Sequence, residues 1–357
     1  MVCIAAFIVL CVMSVFVGLL ALIRPDIGAK YWVTFKKSWG CIAKRVRLQK
    51  CETNFKEDIK NTLLARFIIR RPKLVKPLTV LIEVMAILIV AVTIWSIAEV
   101  AKGGLSLWIF GTCNVSRPSA CVIGQSEVCG IDQEAPSGAV GHVSRWFSDW
   151  GAVITGIPDR IRRWDARHYF PQNATFWSYE EGRPYALDIF DSGCPACLAS
   201  FRNKQRSGFF DRHNATHIPY VIVNPVTGED TFPNSRLVSS YITALRLQHG
   251  AIAADDNPVP LDWRIIERMF TEHNEAGVNY QAFIKSIEAD EAKTLLESWL
   301  FDFGVHPDDI QHIRTLAMSD TVADRLLTYR HIVEDRINAN VIPTTIFGGR
   351  RHAGIYE

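Results

Sequence analysis

The sequence has no charged residue from Val2 to Ile23, a run of 22 residues near its start. A helix needs about 20 such residues to cross a bilayer, so this run is long enough to span one. No basic residue precedes the run, which disfavours a cleaved signal peptide, because signal peptides begin with a positively charged region. A second apolar run contains only Glu83 and Glu99 as charged residues. The sequence therefore predicts transmembrane helices at 1–23 and 77–100, in preference to two buried helices of a soluble core.

The chain also has no large excess of one charge, with 39 Lys and Arg against 37 Asp and Glu. This near balance excludes a surface that binds polyanions throughout, and no nucleic-acid partner is expected. The charge is nevertheless concentrated, because residues 24–76 hold 15 basic and 4 acidic residues. Short loops rich in Lys and Arg stay in the cytoplasm. We therefore predict a two-pass protein of the cell membrane, with 24–76 as a cytoplasmic loop and the chain after Val100 outside.

Within the basic loop, Asn54 and Glu57 resemble a helix start, and apolar residues recur every fourth position until Pro72. Such a basic amphipathic helix either binds anionic lipid headgroups or serves as a plain connector. Both interpretations remain open from the sequence.

Glycine and proline are not abundant, at 22 and 16 residues, which excludes a collagen-like or low-complexity chain. Residues 101–141 form a Ser-, Gly- and Pro-rich linker, and 142–357 carry the periodic patterns of a folded domain. The linker contains Cys113, Cys121 and Cys129. Disulfides persist outside the cytoplasm, so we expect one structural disulfide among the three. The remaining thiol could pair with Cys3, stay free or link chains, and the sequence does not choose among these.

Two further cysteines form the motif Cys194-Pro195-Ala196-Cys197. The motif follows an apolar run at Tyr185–Phe190 that predicts a buried strand, and it begins an apparent helix before a second apolar run at Ile218–Val223. At a helix start, Cys194 gains the positive end of the helix dipole, which stabilises its thiolate. Cys197, one turn later, is close enough to form a disulfide with it and to resolve a mixed disulfide. Half of a zinc site is the alternative, but there is no second CxxC, and neither a metal nor another cofactor is predicted.

Three features together resemble the thioredoxin superfamily, and within it the DsbA-type thiol oxidoreductases. The first is the CxxC motif after a strand. The second is Asp188, six residues before Cys194, and the third is the segment Ile342–Phe347, which resembles the cis-proline strand of that family. The resemblance implies that Asp188 assists proton transfer at Cys197. It also implies that the backbone of Ile342 and the loop at Pro343 bind an extended substrate. The alternative for Asp188 is an exposed charge at a strand edge.

The resemblance implies an α/β thioredoxin-like fold with a helical insertion at 226–338, preceded by the two transmembrane helices. Apolar residues at three- and four-residue spacing predict five helices there. These are Arg236–His249, Leu261–His273, Ala292–Phe303, Pro307–Met318 and Thr321–Ile337.

We therefore expect an extracytoplasmic, membrane-anchored thiol-disulfide oxidoreductase that introduces or exchanges disulfides in secreted or surface proteins. The resemblance implies that a quinone-linked membrane partner reoxidises it. The alternatives are a reductase or isomerase of the same fold, and a binding scaffold in which the CxxC is a structural disulfide. The pair Pro195-Ala196 lacks the histidine of strongly oxidising family members, so the sequence leaves the direction of electron flow open.

Overall fold

The computed structural model of the chain describes residues 75–121 and 129–356. The predicted first transmembrane helix and most of the basic loop, residues 1–74, lie outside the described residues. The chain divides into two compact units, Met1–Ala101 and Lys102–Glu357. Helix α1, Val75–Phe110, continues past Val100, where the second transmembrane helix was predicted to end. None of the helices in the described ranges meets the criteria of length and hydropathy for a membrane span.

The second unit is built on a four-stranded sheet. Its strands are β2 (Tyr185–Phe190), β3 (Asn214–Pro219), β5 (Thr344–Phe347) and β6 (Arg350–Ala353), in the order β3-β2-β5-β6. β2 and β3 are parallel, whereas β5 runs antiparallel to both β2 and β6. Two short strands, β1 (Cys129–Gly130) and β4 (Val341–Ile342), form a separate antiparallel pair. The central strand β2 is thus hydrogen-bonded on both edges, and its residues after Tyr185 are all buried, as its apolar sequence predicts.

The described part of the chain contains ten α-helices. After α1 come α2 (Gly138–Ile161), α3 (Pro195–Arg206), the short α4 (Phe209–Arg212), α5 (Ser235–Leu247), α6 (Leu261–Thr271), α7 (Tyr280–Ser286), α8 (Ala289–Asp302), α9 (Pro307–Ala317) and α10 (Asp320–His331). Helix α10 continues into a π turn, Ile332–Arg336. Helices α5 to α10 form one insertion between β3 and β4. The insertion contributes large buried side chains such as Trp263, Tyr241 and Trp299 to the core that also covers β2.

One strand differs from its predicted position. The sequence predicts the second strand at Ile218–Val223, but β3 begins four residues earlier, at Asn214. Its polar residues, among them Thr216 and His217, are fully buried. Buried strands are expected to be apolar, and these polar side chains therefore concealed the strand in the sequence.

Candidate active site

The CxxC motif lies at the junction of β2 and α3. Cys194 is the N-cap of α3, Pro195 occupies the first helical turn, and the amide of Cys197 donates to the carbonyl oxygen of Cys194 at 3.1 Å. Proline suits this position because its fixed φ is helical and its missing N–H would have no helical acceptor. The dipole of the helix start favours an anion at the Cys194 sulfur when that sulfur is reduced. The stabilised thiolate stays a prediction, because Cys194 is disulfide-bonded in this structure.

Asp191 holds the loop that leads into the motif. Its Oδ1 accepts hydrogen bonds from the amide of Gly193 at 2.8 Å and from Oγ of Ser235 at 2.6 Å, and its Oδ2 accepts from the amide of Ile222 at 2.7 Å. Burial raises the pKa of Asp191 to about 6, against the lowering effect of these three donors. A carboxyl with a pKa this close to neutrality, within the CxxC loop, is a candidate proton carrier. Its hydrogen bonds also stabilise the loop.

Cys197 is the one cysteine in the described ranges with a free thiol, and it is buried. The amide of Asp191 donates to its sulfur at 3.4 Å. Burial raises the pKa of the Cys197 thiol well above its usual value, and the negative charges of Asp191 and Asp188 add to this, whereas Lys204 lowers it. Cys197 is therefore a thiol rather than a thiolate at neutral pH.

Asp188 lies in the middle of β2 and is buried, so the alternative of an exposed edge charge is wrong. Lys204 Nζ, from α3, lies 2.5 Å from Asp188 Oδ1 and 2.8 Å from Oγ1 of Thr345. The Thr345 hydroxyl also donates to Asp188 at 3.1 Å. The strand acid is thus one half of a buried ion pair beneath Cys197. Its role in proton transfer stays a prediction.

The helical insertion contacts the CxxC loop through α7. Nε2 of Gln281 donates to the carbonyl oxygens of Ser192 and Cys194, both at 2.8 Å, and Nζ of Lys285 donates to that of Gly193 at 3.1 Å. Three consecutive carbonyl groups ahead of the helix are therefore satisfied by the insertion. This contact ties the insertion to the CxxC loop.

The segment with Pro343 lies against the motif, as the resemblance implies. The Ile342-Pro343 peptide bond is cis, and the carbonyl oxygen of Ile342 lies 3.8 Å from Sγ of Cys194. The carbonyl oxygen of Pro343 accepts from the amide of Gly354 at 2.8 Å. Substrate binding by Ile342 and Pro343 stays a prediction.

The disulfides differ from the expected set. Cys113 and Cys121 are bonded, with Cα atoms 5.5 Å apart, which is one disulfide within the linker trio. Cys129, for which the sequence offered Cys3, a free thiol or another chain, is bonded to Cys194, with Cα atoms 6.2 Å apart. The expected disulfide between Cys194 and Cys197 is therefore absent from this state of the described chain. The cause is the pairing of β1 with β4, which brings Cys129 opposite Ile342.

A second buried polar cluster connects β3, α5 and α6. The Nε2 atom of His217 lies 3.0 Å from Oδ2 of Asp262, and Nη2 of Arg246 lies 2.7 Å from Nδ1 of the same ring. Burial and the charge of Arg246 lower the pKa of His217 to about 4. Because these contacts join residues of β3, α5 and α6, the cluster ties the insertion to the sheet. In the described ranges, this cluster included, no three His, Cys, Asp or Glu side chains are grouped so that they could hold a metal ion.

These elements reproduce the arrangement that the resemblance implies: parallel strands joined by the CxxC helix, a helical insertion, then a proline loop and an antiparallel hairpin. The fold is thioredoxin-like. A scan of models of protein families gives no match, and a search of curated proteins gives none either.

Two solved structures of ScsC from Proteus mirabilis are similar to the chain. The structure of ScsC in a transitional conformation is 13% identical, with a TM-score of 0.32, and the match covers 61% of this chain and 85% of that chain. For a linker-deletion variant of ScsC the identity is 11%, the TM-score 0.33 and the coverage 63% and 93%. Likeness at this level carries no argument about function.

Proposed function

We propose that the chain is a membrane-anchored thiol-disulfide oxidoreductase whose thioredoxin-like domain acts outside the cytoplasmic membrane on secreted or surface proteins. The observation that carries this proposal is the placement of Cys194. It lies at the start of α3, one turn from a free thiol on Cys197 and beside the backbone of Ile342. A structural disulfide needs none of these neighbours.

In the oxidising direction, a substrate thiolate attacks Sγ of Cys194 in a Cys194–Cys197 disulfide, and Cys197 leaves as a thiolate that takes up a proton. A second substrate thiol then attacks the substrate sulfur of the mixed disulfide, and Cys194 leaves. The substrate loses two electrons, which the cysteine pair gains. A quinone-linked membrane partner would accept them.

Trapping of a mixed disulfide tests the chemistry. The variant Cys129→Ser/Cys197→Ser leaves Cys194 unpaired and without a resolving thiol. It is offered a peptide whose cysteine is bonded to thionitrobenzoate, so that attack by Cys194 releases the coloured thiol. We expect a stable peptide adduct that maps to Cys194, and no adduct on the CxxC segment in the matched control Cys129→Ser/Cys194→Ser. If neither variant forms an adduct on this segment, the scaffold alternative is the better interpretation.

The direction of electron flow follows from the reduction potential. Equilibration of the Cys129→Ser variant with glutathione gives the potential of the Cys194–Cys197 pair, and 30 mV corresponds to about 1.4 kcal/mol. A potential close to that of known oxidants supports disulfide introduction. A potential several such steps lower supports the reductase alternative.

The membrane topology is a separate part of the proposal. An impermeant maleimide applied to intact cells should label a cysteine introduced at Asp290, whose side chain is fully exposed in α8. It should not label Cys41 or Cys51 in the basic loop, because that loop is expected in the cytoplasm. The reverse pattern would place the CxxC in a reducing compartment and favour a reductase.

A further inference from the structure

The backbone beside Pro343 is occupied by the chain's own linker. Cys129 pairs with Ile342 and Gly130 with Val341 in an antiparallel ladder, and the amide of Ile131 donates to the carbonyl oxygen of Asn340 at 2.9 Å. Under the proposed function, this backbone is where an extended substrate binds. Residues 129–131, which we call the linker strand, therefore take the position of a substrate.

The linker strand also presents a cysteine to the reactive sulfur. Cys129 is bonded to Cys194, the first cysteine of the motif, and not to the buried Cys197. In this state Cys194 has no exposed surface, whereas Cys129 is half-buried and borders a cleft of about 460 Å³. An external thiol can reach Cys194 only after the linker strand has left.

Contacts on both sides hold the linker strand in this place. The amide of Gln133 donates to the carbonyl oxygen of Ser116 at 2.8 Å, and Oδ1 of Asp132 accepts from the amide of Ser119 at 3.0 Å. Ser116 and Ser119 lie in the loop that the Cys113–Cys121 disulfide closes. Gly130 packs so closely that a Cβ atom there would lie 2.5 Å from the amide nitrogen of Ser119. The loop is therefore a cross-linked support that aligns Cys129 with Cys194.

We propose that Cys129 is a third redox-active cysteine, and that the linker strand is an internal substrate which Cys194 accepts and releases by thiol-disulfide exchange. This inference rests on the proposed function.

The exchange needs no external oxidant. The Cys197 thiol loses its proton and its sulfur attacks Sγ of Cys194. The bond between Cys194 and Cys129 breaks, a bond between Cys194 and Cys197 forms, and Cys129 leaves as a thiolate that takes up a proton. Both states contain one disulfide and one thiol, so no electron enters or leaves the three sulfur atoms. The product state has an active disulfide and a linker strand that is no longer tethered.

While Cys129 is bonded to Cys194, this exchange step is slow, because burial raises the pKa of the attacking Cys197 thiol. The linker strand competes with external substrate as an intramolecular ligand. Such ligands act at an effective concentration on the order of millimolar. A peptide substrate at micromolar concentration is therefore largely excluded until the exchange has occurred.

Disulfide connectivity in the wild-type full chain tests the proposal without any variant. The detergent-solubilised protein is quenched in acid, alkylated under denaturing conditions and digested without reduction for mass spectrometry. Without added peptide, we expect peptides linked through Cys129 and Cys194 together with the Cys194–Cys197 form. When a cysteine peptide is added and oxidised, both links should be lost and alkylation should appear at Cys129 and Cys194 as well as at Cys197, because the two electrons from the peptide reduce the disulfide. The absence of the Cys129–Cys194 link, or a link that stays unchanged while the peptide is oxidised, would overturn the proposal.

Two variants give a kinetic test on the same peptide. The ratio of millimolar effective concentration to a peptide at about 10 µM predicts that Cys129→Ser accelerates peptide oxidation on the order of 100-fold. Gly130→Ala keeps the thiol of Cys129 but displaces the linker strand, so we expect a smaller acceleration. Gly151→Ala in α2, where a Cβ atom meets nothing within 4 Å, is the matched control and should keep the wild-type rate.

The outcomes separate the two proposals. If Cys129→Ser oxidises the peptide at the wild-type rate, the oxidoreductase proposal stands and the role of Cys129 is wrong. If Cys129→Ser is folded but oxidises no peptide, and the trapping variant forms no adduct, the proposed function itself is wrong, and the inference with it.

Discussion

Nζ of Lys204 lies 2.5 Å from Oδ1 of Asp188, and the lysine side chain has no exposed surface. Breaking a buried ion pair by removing one partner leaves an uncompensated charge and typically costs about 3–5 kcal/mol. We therefore expect Lys204→Met to reduce the free energy of unfolding by about that amount, as measured by urea titration of tryptophan fluorescence. It should also shift the alkylation of Cys197 to higher pH, because Lys204 lowers the pKa of that thiol.

A double variant separates the charge from the packing. Lys204→Met/Asp188→Asn has no unpaired charge, and most of the lost stability should return, since neutral replacement of both partners is often tolerated. A double variant as unstable as Lys204→Met alone would show that the methylene packing of the lysine matters more than its charge.

Asp191 is expected to be the residue whose loss most disturbs the loop before Cys194. Asp191→Ala removes one acceptor for three buried donors, on Gly193, Ile222 and Ser235. Each donor left unsatisfied costs about 1–3 kcal/mol, so the free energy of unfolding should fall by at least about 3 kcal/mol. Asp290→Ala is the control, because its side chain is exposed and such changes usually stay within about 0.5 kcal/mol.

The conservative variant Asp191→Asn tests the electrostatic role separately. It keeps the shape but removes the negative charge that raises the pKa of Cys197. In the reduced protein, Cys197 should therefore be alkylated at a lower pH than in the wild type. An unchanged pH profile would leave Asp191 with a structural role alone.

Gly193 is expected to tolerate no side chain, because a Cβ atom there would lie 2.2 Å from Cβ of Phe232. Gly193→Ala should therefore disturb the loop ahead of Cys194 and lower both stability and the yield of the trapped adduct. Phe232→Gly removes the opposing atoms, so the double variant should recover the adduct. The control Gly151→Ala should be neutral or gain up to about 1 kcal/mol, as for a glycine replaced within a helix.

Those elements that depend on apolar periodicity could be predicted from the sequence. The strand Tyr185–Phe190 has the bounds that its apolar run indicates, and the start of α6 at Leu261 and of α9 at Pro307 coincide with the predicted starts. Asp191 and Lys204 could not be predicted. An acid before Ser-Gly is typical of a turn, and a lysine within a helix is typical of a solvated face; only the tertiary fold buries them.

The linker strand was missed for a related reason. Its paired part, β1, has only two residues, Cys129 and Gly130, and is too short to show periodicity. It also lies in a segment whose composition indicates a loop. Its position is set by pairing with β4, a contact with a sequence separation of more than two hundred residues. The choice of Cys194 as partner of Cys129 follows from that pairing and from nothing local.

The pH dependence of stability should carry the signature of His217. The pKa of His217 in the folded chain is about 4, against an ordinary value of 6.5. Between these pH values the ring is therefore protonated in the unfolded chain and neutral in the folded chain. Stability from this group is therefore present above pH 6.5 and is lost as the pH falls towards 4. The total is about 3 kcal/mol, because one pKa unit corresponds to 1.36 kcal/mol.

Asp191 acts in the opposite direction and would obscure this signature in the wild type alone. Its pKa of about 6 in the folded chain exceeds the ordinary 3.8, so between these values the folded chain binds the extra proton and gains stability as the pH falls.

The informative quantity is therefore the difference in unfolding free energy between the wild type and His217→Asn, measured from pH 7 to pH 4. Because Asp191 is present in both proteins, its contribution cancels. We expect the difference to change by about 3 kcal/mol in the direction that costs the wild type stability at low pH. A flat profile for His217→Asn would mean that the buried ring is already charged at neutral pH and forms an ion pair with Asp262.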